Sequence, residues 1–214
     1  VNADESAPYS GKNQSPYTTT KAGAEQLVLS SDSNKLRTIA IRPHLVWGPG
    51  DTRITQGIIN RDRTGKLRRI GRKDHLIDTT YIENLIDALM LAIDPSGQTP
   101  EIYGKAFFIS NGEPLKTWDF INLILETAGI GRVRKSIPEP LALSLAWLLE
   151  NYHRIFNLES EPYLTKLMVK ELCSSHWFNI SAAKSIMGYS PRVNISEGMD
   201  LLRRYFLDGS NSQK

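Results

Sequence analysis

One cysteine, Cys173, occurs in 214 residues. An intrachain disulfide is therefore excluded, and a reducing compartment suits the chain. There is no Cys-x-x-Cys and no His-x-x-x-His pair. The four histidines (His44, His75, His153 and His176) are scattered, so their spacing gives a metal site no support. No Gly-x-x-Gly-x-x-Gly occurs either. The chain thus lacks the glycine-rich turn that sets a dinucleotide pyrophosphate on a helix N-terminus. The strongly apolar run Leu141–Leu149 has nine residues, too short to span a bilayer. No charge sign dominates: 26 Lys and Arg stand against 23 Asp and Glu, a net +3 that does not demand a nucleic-acid partner. Residues 1–16 are polar and turn-rich, with no basic segment before an apolar core, so they do not read as a signal peptide.

What is present is ordinary for a globular chain: 40% hydrophobic and 23% charged residues, enough for one domain or one and a half with a sizeable core. The chain begins at Val1 inside a loop, and so reads as a piece of something longer.

One short stretch organises the rest, Ser15-Pro16-Tyr17-Thr18-Thr19-Thr20-Lys21-Ala22-Gly23-Ala24-Glu25. Ser15 is a good N-cap and Pro16 suits the first helical position. Tyr17 and Lys21, four apart, are then neighbours on one helical face. A lysine cation and the positive end of a helix both favour phenolate, so the Tyr17 pKa should fall. Such a tyrosine can give or take a proton at a carbonyl or alcohol. Taken alone, the pair is more simply an ordinary helix face, and a catalytic role depends on the motifs downstream of it.

Apolar periodicity predicts helices over 16–31, 54–65, 82–93, 117–128, 141–156, 163–173, 181–187 and 196–207. Leu85, Ile86, Leu89, Met90 and Ile93 share one side of the third of these, and Thr117 and Ser181 are expected caps. Strands are predicted over 37–42, 67–70, 78–81, 105–109 and 134–137, and residues 177–179 read as extended. Pro43 stops the first strand, and Val46 to Asp51 form a tight turn by composition. The tail from Asp208 reads as disordered. Alternating strands and helices argue for α/β.

The order of the motifs is informative. The Tyr-x-x-x-Lys helix is followed by Ile41-Arg42-Pro43-His44-Leu45-Val46-Trp47-Gly48-Pro49-Gly50-Asp51, then Asp78-Thr79-Thr80-Tyr81-Ile82-Glu83-Asn84, then Phe108-Ile109-Ser110-Asn111-Gly112-Glu113-Pro114. This series resembles the extended short-chain dehydrogenase/reductase superfamily, and within it the 3β-hydroxysteroid dehydrogenase-like (epimerase/dehydratase) group. The stretches Ser136-Ile137-Pro138, Glu161 to Thr165 and Ser174 to Ser181 are similar to bacterial 2-alkyl-3-oxoalkanoate reductases.

The resemblance implies a fold and a set of roles. The fold is the C-terminal part of a Rossmann-like parallel sheet plus a small, mostly helical substrate domain. Residues 1–112 would belong mainly to the NAD(P)-binding part, with interleaved substrate-domain segments, and 113–207 mainly to the substrate domain. Tyr17 would be the catalytic acid/base. Lys21 would lower its pKa and hold the nicotinamide ribose. Pro43 and Val46 would lie against the nicotinamide of NAD or NADP. Asp78 and Tyr81 would shape the wall towards the substrate, although a strand edge and helix cap explain them equally well. The superfamily's glycine-rich first half and its catalytic Ser or Thr fall outside the sequence. The implied expectation is that this polypeptide alone neither binds NAD(P) tightly nor turns over.

The substrate expected is a hydrophobic small molecule carrying a 3-oxo or 3-hydroxy group, a long-chain 2-alkyl-3-oxo acid or a steroid. Trp118, Trp147, Tyr152, Phe156 and Leu158 supply large apolar groups to the later region, which also suits contact with a membrane surface. A cytoplasmic protein, membrane-associated by such a surface, fits these features. A homodimer through the Tyr17 helix is common in the superfamily. Arg61, Arg63, Lys66, Arg68, Arg69, Arg72 and Lys73 crowd together, offset by Asp62 and Asp74. A solvated surface is the plain account; the functional one is a site for an anionic group, with Arg72 a substrate-binding candidate. Little aromatic interleaving argues against a nucleic-acid reader. A sugar-nucleotide epimerase or dehydratase, and a non-catalytic binding module, remain the alternatives.

Overall fold

Parallel pairing of two five-residue strands, β1 (Ile39–Pro43) and β6 (Lys105–Ile109), organises the first of two units. The structure is a computed structural model. It describes residues 1–9, 16–94, 100–158, 160 and 162–211, with the backbone alone for Pro16, Tyr17, Ser210 and Asn211.

The first unit comprises residues 1–47, 78–113 and 177–198. Ile39 stands opposite Lys105 and Pro43 opposite Ile109. Proline has no N–H to donate, so it closes the strand. Helices α1 (Pro16–Ser30), α3 (Ile82–Ile93) and α7 (Ser181–Ile186) pack around this pair. Phe107, Ile109, Ala88, Ala183 and Tyr189 form its core. The Tyr189 hydroxyl donates to the Ser110 carbonyl at 3.0 Å, and burial drives its pKa far above the usual tyrosine value.

A second parallel pair joins β2 (Val46–Trp47) and β5 (Thr80–Tyr81). Trp47 Nε1 donates to Thr79 Oγ1 at 3.0 Å, and its ring meets the Tyr81 ring edge-on at 5.2 Å. Helix α8 (Ile195–Asn211) reaches these rings with Gly198, where a Cβ would come within 2.8 Å of Trp47 and 2.9 Å of Tyr81. Asn111 Oδ1 accepts from the Tyr81 N–H and from Asn84 Nδ2, both at 2.9 Å. Buried amides thus fix the start of α3.

The second unit comprises residues 48–77, 114–176 and 199–214. Asp51 organises its first helix, α2 (Thr55–Arg63): its carboxylate accepts from the N–H groups of Arg53, Ile54 and Thr55, the last at 2.6 Å. These are donors that a helix start leaves without partners. β3 (Arg69–Ile70) pairs parallel with β8 (Ser136–Ile137), and β4 (Leu76–Ile77) antiparallel with β7 (Leu115–Lys116). Trp118, Ile121 and Leu125 of α4 (Thr117–Thr127) pack with Val169 of α6 (Lys166–Leu172). Ala142 and Ala146 of α5 (Glu139–Ile155) are fully buried, and their small side chains let α5 lie close to its neighbours.

The α/β class holds, and several boundaries differ from expectation. Residues 78–81 are not one strand: β4 ends at Ile77 in the second unit and β5 starts at Thr80 in the first. Thr117 is not a cap; its hydroxyl donates to the His75 carbonyl at 3.1 Å. Ser181 is not one either; its N–H is taken by Asn179 Oδ1 at 2.9 Å. Asp208 does not begin a disordered tail, because α8 runs through it to Asn211; residues 212–214 lie outside the described residues. The apolar side of α3 is largely exposed at Ile86, Leu89, Met90 and Ile93.

Candidate functional site

Tyr17 and Lys21 both lie on α1, one turn apart in its backbone. Lys21 is exposed. The side chain of Tyr17, and Ser15 before it, lie outside the described residues. Glu25, one further turn along, fixes α1 to β1: it accepts from Arg42 Nε at 2.9 Å and from the Tyr9 hydroxyl. The Arg42 hydrogen bond holds the Glu25 carboxyl below the usual glutamate range, although burial opposes it. The Arg42 guanidinium also lies over the Phe108 ring, 5.0 Å from its centroid. The tyrosine-bearing helix is thus tied to the strand that carries the next candidate.

That candidate is Pro43, exposed at the carboxyl end of β1, with Val46 half-buried three residues on. Between them the chain makes two features that composition did not show. Leu45 has φ 43°, a left-handed conformation that costs a non-glycine residue about 1–3 kcal/mol. His44 turns its ring inward, and its Nδ1 lies 2.6 Å from Asp78 Oδ1. The other Asp78 oxygen accepts from the Phe178 N–H at 3.0 Å. The Phe178 ring stacks on Phe108 and meets the His44 ring edge-on at 5.1 Å.

Asp78 is only 1% exposed and Tyr81 0%. Neither offers a ligand a surface, so any effect they have passes through residues they hold. Asp78 holds His44, beside Pro43. Tyr81 packs on Trp47 with its hydroxyl buried and without a hydrogen-bond partner among the described residues, and burial followed by the Glu83 charge raises its pKa. Sequence reasoning passed over His44; its place directly after the strand-closing Pro43 was the available signal.

Arg72 is an exposed residue of the second unit, in the loop after Gly71. Its neighbours in the basic cluster are partly spoken for. Arg69 pairs with Asp74 at 2.7 Å, Lys116 reaches the same carboxylate at 3.3 Å, and Arg68 donates to the carbonyls of Gly65 and Leu67. No group of His, Cys, Asp and Glu among the described residues could hold a metal ion.

The chain as a whole has relatives among known proteins. The pattern describing the 3-beta hydroxysteroid dehydrogenase/isomerase family matches residues 1–139. A 2-alkyl-3-oxoalkanoate reductase of Shewanella oneidensis is 41% identical over 208 residues, covering 94% of this chain and 54% of the relative. A sterol-4-alpha-carboxylate 3-dehydrogenase, decarboxylating, of Candida albicans is 34% identical over 218 residues, covering 99% and 61%. The chain therefore spans a little over half the length of these curated relatives. Among solved structures, a UDP-glucuronic acid 4-epimerase from Bacillus cereus in complex with NAD superposes with a TM-score of 0.62 at 20% identity, covering 96% of this chain and 60% of that one. That likeness shows the fold, a Rossmann-like α/β fold.

Proposed function

We infer the function from one premise: the chain belongs to the 3-beta hydroxysteroid dehydrogenase/isomerase family. We propose that the whole protein is an NAD(P)-dependent oxidoreductase that interconverts a 3-hydroxy and a 3-oxo group on a hydrophobic substrate. The observation that carries this reading is the Tyr17–Lys21 pair on α1, on a helix tied by Glu25 and Arg42 to the strand that ends at Pro43.

The residues fit the nicotinamide end of NAD or NADP. Pro43 and Val46 give a small apolar surface at the carboxyl end of a parallel strand, where open α/β sheets take ligands. Lys21 is a donor-only cation suited to ribose hydroxyls. When bound, the nicotinamide supplies or accepts the hydride. Tyr17 gives its phenolic proton to the substrate oxygen in reduction and takes it back in oxidation. Asp78 and Tyr81 act as positioning residues, the first through His44. The sequence has no glycine-rich pyrophosphate turn, so these 214 residues alone are not expected to hold the dinucleotide tightly.

The substrate is a long-chain 2-alkyl-3-oxo acid or a 3-oxosteroid, in keeping with the names of the relatives. Arg72 and its cluster suit an anionic group on it. That cluster also supports a second reading, a sugar-nucleotide epimerase or dehydratase that would bind a diphosphate there. No helix among the described residues is long and apolar enough to cross a membrane. Exposed Leu141, Trp147, Leu148 and Ile155 on α5 instead support contact with a membrane surface by a cytoplasmic protein. Exposed Leu27 and Val28 on α1 support a homodimer.

The test is NAD(P)H oxidation by the full-length protein with a 2-alkyl-3-oxo acid and a 3-oxosteroid, beside product analysis with a UDP-sugar, whose epimerisation or dehydration consumes no net NAD(P)H. Turnover of either 3-oxo compound upholds the reading. Reaction of the UDP-sugar alone selects the second one. A folded protein that binds no cofactor and turns over none of them points to a binding module.

A further inference from the structure

Residues 3–9 run as a strap over the first unit, pinned at several points. A short turn shapes it. The Asp4 carboxylate accepts from the Ser6 N–H at 3.0 Å, and the Asp4 carbonyl from the Ala7 N–H at 3.1 Å. Before the turn, Ala3 forms a parallel bridge with Phe178, and its carbonyl accepts from the Asn179 N–H at 2.8 Å. Within the turn, half-buried Glu5 accepts from the Phe108 N–H at 2.8 Å. Among the described residues β6 pairs with β1 alone, so this carboxylate serves a strand N–H on the edge that no ladder covers. At the far end of the strap, the Tyr9 hydroxyl donates to Glu25 of α1, and the Arg42 guanidinium lies 5.5 Å from the Tyr9 ring centroid.

Glu5 and Ala3 thus hold the backbone at Phe108 and at Phe178, whose rings are stacked with 4.1 Å between centroids and 14° between planes. Both rings are half-buried, so these backbone anchors help to set their overlap. The Phe178 ring meets the His44 ring edge-on at 5.1 Å. The Phe178 N–H donates to Asp78, the carboxylate that lies against His44 Nδ1. Two routes therefore lead from the strap to His44, one through the rings and one through Asp78. His44 directly follows Pro43. A carboxylate at position 5 gives the Phe108 N–H a charge-assisted bond, and a hydrocarbon there leaves that N–H without an acceptor.

We propose that Glu5 is a positioning residue for the cofactor: by holding Phe108 against Phe178 it sets the place of His44, and with it the Pro43 surface that meets the nicotinamide. The inference goes beyond the proposed function, which gives Glu5 no part, and rests on it for the identity of the cofactor. Glu5 acts through Phe108 and not on the reacting groups. Its loss therefore weakens cofactor binding and leaves the proton step assigned to Tyr17 in place.

The test compares the full-length protein with its Glu5→Ala and Glu5→Gln variants by two readouts. The first is the KM and kcat for NAD(P)H with whichever 3-oxo compound reacts, beside the NAD(P)H Kd by fluorescence. The second is the ring Cε1–H signal of His44 in cofactor-free protein labelled with 13C-histidine. That signal is assigned by His44→Gln, and His153, on α5 of the second unit, serves as control. Glu5→Ala should raise KM and Kd for NAD(P)H about three- to tenfold, with kcat at saturating cofactor within about twofold of the parent. It should shift the His44 signal and leave His153 unmoved. Glu5→Gln keeps an acceptor oxygen and should restore both readouts. Phe178→Leu, which removes the stacked ring, should raise the NAD(P)H KM in the same way, and it carries the test should Glu5→Ala not fold. A merely structural role lowers kcat through loss of folded protein and leaves KM unchanged, and that result would overturn the proposal. So would an unmoved His44 signal in Glu5→Ala, a Glu5→Gln protein as impaired as Glu5→Ala, or a parent-like KM in Phe178→Leu. Turnover by the parent with an unchanged KM in Glu5→Ala removes the assignment of Glu5 alone. A parent that binds no NAD(P)H removes the proposed function, and the His44 signal then decides by itself whether Glu5 positions His44.

Discussion

His44 Nδ1 lies 2.6 Å from Oδ1 of Asp78, although 34 residues separate them in the chain. The carboxylate is buried and uses its second oxygen on the Phe178 N–H. One acidic side chain therefore fixes the residue after Pro43 and the backbone at Phe178. Asp78→Ala removes the acceptor shared by two half-buried partners and should cost about 2–4 kcal/mol. Asp78→Asn keeps an acceptor oxygen and should cost less. Urea denaturation of the three proteins checks the order. Because His44 follows Pro43, Asp78→Ala should also weaken cofactor binding in the full-length protein.

Gly198 is required by its neighbours rather than by its backbone. A methyl group there meets the rings of Trp47 and Tyr81 at 2.8 and 2.9 Å, and both rings are fully buried. Gly198→Ala should therefore destabilise the protein by about 1–3 kcal/mol, against the usual helix preference for alanine. A Tm equal to or above that of the parent would contradict this packing.

Glu25 sets an acid limit on stability. The Arg42 hydrogen bond depresses its folded pKa, so its contribution is complete above the ordinary glutamate pKa and is lost as pH falls through the depressed folded value. Glu25→Gln should lower stability by about 1–3 kcal/mol near neutral pH. It should also flatten the acid side of the stability profile. Unfolding free energies measured stepwise from neutral pH into the acid range give both results.

The helices are legible because their apolar residues recur with helical spacing: the pattern puts α3 at 82–93, where it is observed, and α4 ends one residue before the pattern does. The α/β class comes from their alternation with β1 and β6. What covers a helix is not legible. The stripe Ile86, Met90 and Ile93 reads as a core face, yet it is exposed, while Asn84 and Ala88 are buried. The division at Asp78 is hidden for a similar reason. Local composition makes 78–81 a strand, but the chain passes there between two units assembled from three separate segments each. Tyr17, Lys21, Pro43 and Val46 can be named from motif order. The His44–Asp78 pair and the Glu5–Phe108 bond depend on contacts between distant segments, and no local spacing encodes them.

The proton assigned to Tyr17 is tested most directly by one substitution. The full-length protein and its Tyr17→Phe variant are compared for NAD(P)H oxidation with a 2-alkyl-3-oxo acid, cofactor binding being measured separately by fluorescence. Loss of the phenolic proton should lower kcat by about 10²–10⁴-fold while the cofactor still binds. Equal turnover by the two proteins would contradict the assignment of Tyr17 as the acid/base.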